Sequence, residues 1–311
     1  MSKRILVVGS ANMDLSMNMY KIPAPGETII DDGGVAYVPG GKGANSAIAL
    51  ARLGTDTVFC AKLGADLHGQ KLYQFYKEQG INTAYIKVDR ENPTGLAAVM
   101  RESDGTNRIV VYPGANYNLT ADNVAEAFEC NPDAVYLGFE IPFSIAVAAA
   151  KMANARGIPV FVDAAPADKD HPLESLPAVE IFSPNETETA EYTGILPQGS
   201  DSSLRAALAL YKRVKCKYLI IKQGSRGAFI YDGRHYSFVP AIRAGETVDT
   251  TAAGDSFTAA MTVRYLENGG DISDAVRYGV AAGAIAVTRK GASSSVPTRT
   301  EIDELLNKGV R

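Results

Sequence analysis

The sequence predicts an α/β protein whose sheet is mostly parallel and covered by helices on both faces. Short β-branched and apolar runs alternate with longer helical patterns along most of the chain. Those runs are mostly apolar, as strands buried on two faces are. With 46% hydrophobic and 21% charged residues among 311, the chain has material for a large core.

The first run, Ile5-Leu6-Val7-Val8-Gly9, is a buried strand ending in glycine. Residues 44–53 carry small and apolar side chains at helical spacing, 57–61 are strand-like, and 67–79 are helical. Further strands are expected at 134–138, 160–163, 179–182 and 218–222, with helices over 144–156, 204–214 and from about Gly254 to Leu266. Two regions break this rhythm. Residues 12–38 read as strands around the turn Pro23-Ala24-Pro25-Gly26, and 95–112 as a hairpin about Ser103-Asp104-Gly105-Thr106. They predict a small antiparallel sheet built from two segments and projecting from the core. Such a sheet has an apolar face to cover, which makes it a lid over a site, a dimer interface, or both. The expected division is a core of 1–12, 38–94 and 113–311 with a lid of 13–37 and 95–112.

Composition narrows the function. Lys plus Arg number 31 against 35 Asp plus Glu, a net charge of -4 that does not suit nucleic acid or an acidic membrane. Cys60, Cys130 and Cys216 have no metal-ligand spacing, and their odd number favours a reducing compartment. His68, His171 and His235 are scattered. Without an apolar run of membrane-spanning length or a signal-peptide core, the sequence reads as cytoplasmic.

Asp249-Thr250-Thr251-Ala252-Ala253-Gly254-Asp255 is the most informative stretch. Small residues at the start of a helix let backbone N–H groups approach an anion, which the helix dipole also favours. Asp255 then sets a carboxylate beside a phosphate cradle, where its chemical use is to take a proton from an attacking hydroxyl. The plainer alternative is an acid that stabilises the helix start. Gly40-Gly41-Lys42-Gly43-Ala44-Asn45 opens a helix without the spacing of a phosphate loop, so Lys42 and Asn45 suit sugar hydroxyls, or simply solvent. Asn12 and Asp14 follow the first strand, and Asp14 can accept two hydroxyl hydrogen bonds. Glu140 follows another strand end. In Ser183-Pro184-Asn185-Glu186-Thr187-Glu188, Asn185 and Glu188 read either as helix capping or as groups facing phosphates and Mg²⁺ through water. Lys222-Gln223-Gly224-Ser225-Arg226-Gly227 flanks a nucleotide or turns a tight hairpin.

In order and spacing these segments, with Gly9 to Asp14 and Thr288 to Pro297, resemble the ribokinase-type branch of the PfkB carbohydrate kinase family over nearly the whole chain. The resemblance implies a ribokinase-like three-layer α/β/α sandwich with a β-sheet lid, and a homodimer formed through that lid. It makes Asp255 the base toward a sugar 5-hydroxyl and Ala252, Ala253 and Gly254 the anion hole. Position 252 is more often Gly in the family, and Ala is expected to serve because only its N–H is used. Asn12, Asp14, Gly41, Lys42, Asn45 and Glu140 would hold ribose; Asn185, Lys222, Gly224, Ser225 and Gly227 would contact ATP. Lys222 departs from the small hydroxyl residue common there, and Val280 from a polar one. A K⁺ ion would be held by Asp249, Thr251, Ala286, Arg289, Gly291 and Ser295, although Arg289-Lys290-Gly291 also reads as a basic, Gly-capped helix C-terminus. Besides a ribose kinase, a kinase for deoxyribose, a nucleoside or a ketose, and a non-catalytic sugar-binding protein, remain alternatives.

Overall fold

The first strand has no polar side chain after Arg4, so it can rest only where both sheet faces are covered. In the computed structural model, which describes residues 2–103 and 106–308, Ile5 and Val7 pack into one buried cluster and Leu6 and Val8 into another. The first half of the chain runs β1 (Arg4–Val8), β2 (Asn12–Met19), β3 (Val35–Gly40), α1 (Lys42–Arg52), β4 (Asp56–Gly64), α2 (Leu67–Glu78), β5 (Ile86–Asp89), β6 (Gly95–Glu102) and β7 (Asn107–Tyr112). The second half contributes α3 (Ala121–Ala127), β8 (Ala134–Leu137), α4 (Phe143–Asn154), β9 (Val160–Asp163), β10 (Val179–Ser183), α5 (Glu186–Thr193) and α6 (Ser200–Tyr211). It closes with β11 (Cys216–Lys222), β12 (Gly227–Tyr231), β13 (Tyr236–Pro240), α7 (Ala253–Glu267), α8 (Ile272–Ala286) and α9 (Arg299–Lys308).

The large sheet has the order β13-β12-β11-β10-β9-β8-β1-β4-β5. Every pairing from β11 to β5 is parallel, with Val8 of β1 opposite both Cys60 and Leu137. The β11–β12 and β12–β13 pairs are antiparallel, so the hairpin alternative at 222–227 is realised. Helices α1, α7 and α8 bury small and apolar side chains against one face; α3, α4 and α6 supply the other.

The four-stranded sheet, order β3-β2-β6-β7, differs from expectation in one pairing. Both hairpins are antiparallel, but β2 and β6 run parallel, with Asn12 opposite Gly95. Each of these strands leaves the main sheet in the same direction, so the seam between the two hairpins is parallel. Of the turn expected at 103–106, Asp104 and Gly105 lie outside the described residues. The helix C-terminus offered as the alternative reading of Arg289-Lys290-Gly291 is not formed there: α8 stops at Ala286, and the three residues lie in the segment that follows.

Candidate active site

A cleft of about 790 Å³ opens where β1, β9, β10 and β11 end and where α1, α5 and α7 begin. Ligand sites form at such strand ends because the loops there feed helix N-termini. The four-stranded sheet closes one side, with Val38, Ala97, Val99, Ile109 and Val111 turned to the cleft. That apolar wall answers what the small sheet covers.

Asp255 lies in the first turn of α7 and is 5% exposed. Asn45 Nδ2, on α1, donates to its Oδ2 at 3.1 Å. Burial holds the Asp255 carboxyl above the ordinary carboxylate range, and the charge of Asp163 adds to this. Lys42 and the Asn45 hydrogen bond act in the opposite direction. An ammonium at Lys42 loses solvation by burial, yet Asp255, Asp163, Glu188 and Glu140 together keep its pKa above the usual lysine value. A carboxyl raised by burial is a stronger proton acceptor once ionised, and Lys42 favours its ionised form.

Ala252, Gly254 and Asp255 line the cleft. The Ala253 N–H instead donates to the Thr250 carbonyl at 3.3 Å. Ala252 caps α7 with φ 57° and ψ 10°, the left-handed region. Its side chain is therefore not neutral, because an L-residue pays about 1–2 kcal/mol there and Gly almost nothing.

The sugar side is built around Asp14. Gly40 has no side chain because a Cβ there would come within 2.1 Å of Asp14 Oδ2. Gly41 has φ +91° and turns the chain into α1. Burial, and then the charge of Glu140, push the Asp14 carboxyl up to about 7, against the pull of Arg101. Asp14 Oδ1 and Asn45 Oδ1 are buried and have no hydrogen-bond partner among the described residues. Two orphaned acceptors in a cleft call for a ligand rich in hydroxyl donors. Asn12 and Glu140 also line this region, but their side chains are already engaged. Asn12 Oδ1 accepts from Asn116 at 2.8 Å, and Glu140 Oε2 accepts from Ser10 Oγ and the Lys42 N–H.

On the opposite side, Asn185 and Glu188 form the capping box of α5 and both line the cleft, so the capping and ligand readings coexist. Both Glu188 oxygens accept from Asn185, and burial raises this carboxyl while Lys222 pulls it down. Gly224 lines the cleft, whereas Ser225 is exposed at its rim. Gly227 belongs to β12, where a Cβ would meet the Val239 carbonyl at 2.0 Å. Its glycine is explained by that strand pairing. Val280 is buried on α8 in the core. Lys222 ends β11 and reaches Asp163 Oδ1 at 3.0 Å and Thr258 Oγ1 at 3.3 Å. Asp163 and Thr258 were not anticipated. Asp163 ends an apolar strand, the position where this fold class gathers ligands, and Thr258 stands three residues beyond Asp255 on the same helix face.

The loop before α7 is organised by Asp249. Its Oδ1 accepts from the Thr251 N–H at 2.9 Å and the Thr251 hydroxyl at 2.6 Å, and its Oδ2 from the Gly291 N–H at 3.0 Å. Ser295 Oγ lies 3.5 Å from the Thr251 carbonyl. Ala286 is buried at the end of α8, and the Arg289 side chain is committed to Glu301. Arg101, unmarked in the sequence, reaches in from β6. Its Nη2 stands 3.4 Å from Thr251 Oγ1 and 3.7 Å from Asp249 Oδ2.

A mostly parallel α/β sandwich that sets an acid beside a helix N-terminus in one cleft can place a base next to a bound phosphate, which suits phosphoryl transfer to an alcohol. A family model for pfkB family carbohydrate kinases matches residues 2–299. A ribokinase of Arabidopsis thaliana is 36% identical over 309 residues, covering 97% of this chain and 80% of that protein. The solved structure of Arabidopsis thaliana ribokinase complexed with ribose and ATP is similar with a TM-score of 0.88 at 35% identity, covering 98% of this chain and 99% of that one. A deoxyribokinase of Salmonella typhi is 29% identical over 307 residues, 97% of this chain and 98% of that protein. This chain belongs to the pfkB family of carbohydrate kinases, and its fold is the ribokinase-like sandwich.

Proposed function

We propose that this protein transfers the γ-phosphoryl group of ATP to the 5-hydroxyl of D-ribose, giving ribose 5-phosphate and ADP. The observation that carries the reading is the Asn45–Asp255 pair in the cleft that also holds Asp14, Lys42 and Gly254. Similarity to a ribokinase structure bound to ribose and ATP, over nearly all of both chains, supports it. Asp255 takes the hydroxyl proton as the sugar oxygen attacks the γ-phosphorus. The backbone N–H groups of Ala252 and Gly254 meet the charge on the phosphoryl oxygens, the Ala253 N–H being held by the Thr250 carbonyl, and ADP leaves with the electron pair of the broken bond. Asn12, Asp14, Gly41, Lys42, Asn45 and Glu140 orient the sugar. Asn185, Lys222, Gly224, Ser225 and Gly227 stand on the nucleotide side.

Mg²⁺ and K⁺ belong to the same reading. Among the described residues no three acidic, His or Cys side chains converge as a metal cage. A cation carried on the phosphates and met by Glu188 through water is compatible with that donor set. For K⁺, the Asp249 carboxylate and Thr251 carbonyl of the loop before α7 and the Ser295 hydroxyl of the segment after α8 are hard oxygens brought together, with backbone carbonyls of Ala286, Arg289 and Gly291 as the remaining donors. Bound there, a cation would fix the loop that leads into the anion hole. Apolar side chains exposed on β3 and β7, such as Val35, Tyr37 and Val110, support a homodimer through the small sheet. The buried, unpaired Cys60, Cys130 and Cys216 suit a reducing cytoplasm.

A coupled ADP-release screen over ribose, 2-deoxyribose, fructose and nucleosides tests the assignment. It is run at fixed ionic strength in KCl, NaCl or tetramethylammonium chloride. Ribose should give the highest kcat/KM, and K⁺ should raise kcat more than it lowers the ribose KM. Preference for 2-deoxyribose would move the protein to the second reading, which its likeness to a deoxyribokinase keeps open. ADP release with none of them would overturn the kinase assignment, and equal rates in all three salts the cation site.

A further inference from the structure

Lys222 and Asp163 end two strands of the large sheet, with β10 between them, and pair at 3.0 Å. Their side chains are only 10% and 6% exposed. Thr258 completes the group, donating from Oγ1 to Asp163 Oδ2 at 3.1 Å while standing 3.3 Å from Lys222 Nζ. A buried ion pair returns little net stability, because desolvation offsets the attraction, so its presence calls for another reason. The location supplies one. Lys222 lines the cleft, and its Nζ lies 3.6 Å from where a Cβ on Gly254 would sit. An ammonium has three N–H donors, and Asp163 and Thr258 occupy two. The third is left for a group resting against Gly254, the site of the anion hole.

We propose that Lys222 is a catalytic residue whose ammonium contacts an equatorial oxygen of the transferring γ-phosphoryl group, with Asp163 and Thr258 as its positioning residues. The proposal rests on the kinase reading above and deepens it, since Lys222 becomes a transition-state group and not an anchor for the nucleotide. The charge it meets develops as the bond between the γ-phosphorus and the ADP oxygen breaks and the bond to the sugar oxygen forms. The hydroxyl proton goes to Asp255, and the electron pair leaves with ADP.

The test compares Lys222→Met and Lys222→Arg with the unaltered protein in two assays. Titration calorimetry with Mg²⁺ and either ADP or the non-hydrolysable analogue AMP-PNP, without sugar, isolates the contact to the γ-phosphate. Steady-state kinetics give kcat and KM. Lys222→Met should keep ADP affinity within about twofold, lose the extra affinity for AMP-PNP over ADP, and lower kcat on the order of 10²-fold. Lys222→Arg should retain part of both. The double variant Lys222→Met/Asp163→Asn removes both buried charges, so it folds if the unpaired Asp163 prevents the single variant from folding, and it should show the same two losses. An unchanged kcat, or equal weakening of ADP and AMP-PNP, would overturn the proposal. The calorimetry needs no sugar, so a wild type that phosphorylates no ribose defeats the substrate assignment and leaves the Lys222 result readable.

Discussion

Asn45 Nδ2 on α1 donates to Asp255 Oδ2 on α7 at 3.1 Å, joining two helix N-termini that are 210 positions apart in the chain. The bond fixes the plane of the carboxylate, and the other oxygen is left for a proton. Asp255→Asn keeps size and can keep a hydrogen bond to Asn45, but it cannot accept the proton. General-base contributions run to roughly 10²–10⁴-fold, so kcat should fall within that range with ribose and ATP binding largely retained. Turnover near the wild-type rate would remove Asp255 from its role.

Discrimination between sugars should depend on the orphaned acceptors Asp14 Oδ1 and Asn45 Oδ1. A site built to receive a hydroxyl rejects an analogue that lacks it, because the buried acceptor stays unpaired. We expect kcat/KM for ribose to exceed that for 2-deoxyribose on the order of 10–100-fold, and Asp14→Ala to narrow the ratio. A ratio that Asp14→Ala leaves unchanged would show that other residues read the hydroxyl.

Asp14 also predicts a pH dependence. Its carboxyl titrates near 7 in the folded free protein, raised first by burial. Only the ionised form offers full acceptor capacity to two hydroxyls, so kcat/KM for ribose should fall as pH drops below about 7. The stability sign is opposite to that of a salt-bridged acid. Between the unfolded value near 4 and the folded value near 7 the native state binds the extra proton, so this group lowers stability as pH rises through that window. Asp14→Asn should flatten both effects, which pH–rate profiles and melts across pH 4–8 would measure.

Ala252 gives a backbone test. Its left-handed φ of 57° is unfavourable for any side chain, whereas Gly adopts it freely. Ala252→Gly should therefore leave kcat intact and change stability by no more than about 1 kcal/mol, with relief of strain set against the looser unfolded chain. Ala252→Val should lower both melting temperature and kcat, since a β-branched side chain fits this region worst. If Val matched Gly in both measurements, the left-handed cap would be of no consequence.

Much of the fold was legible because the signals are local. The run after Arg4 could only be a strand buried on two faces, and the small residues at 252–254 mark a helix start. The Asn185–Glu188 pair was legible as a cap for the same reason. What escaped was convergence. Asp163 and Lys222 are separated by 59 positions and Arg101 and Thr251 by 150, and no spacing rule connects such residues before the sheet order is known. The parallel β2–β6 seam was hidden for a related reason, since each hairpin is antiparallel within itself. The end of α8 was missed because Arg289 and Gly291 imitate a helix terminus while serving a loop.

That parallel seam orders events during folding. Each hairpin of the small sheet can form from its own contiguous segment, but β2 meets β6 only across the α1, β4, α2 and β5 segments that lie between them. Contacts of such separation form late, because the loop they close is long. Until the seam closes, each hairpin presents an open strand edge. In pulse-labelled hydrogen exchange during refolding, amides of β1 and β4 should gain protection before those along the β2–β6 seam.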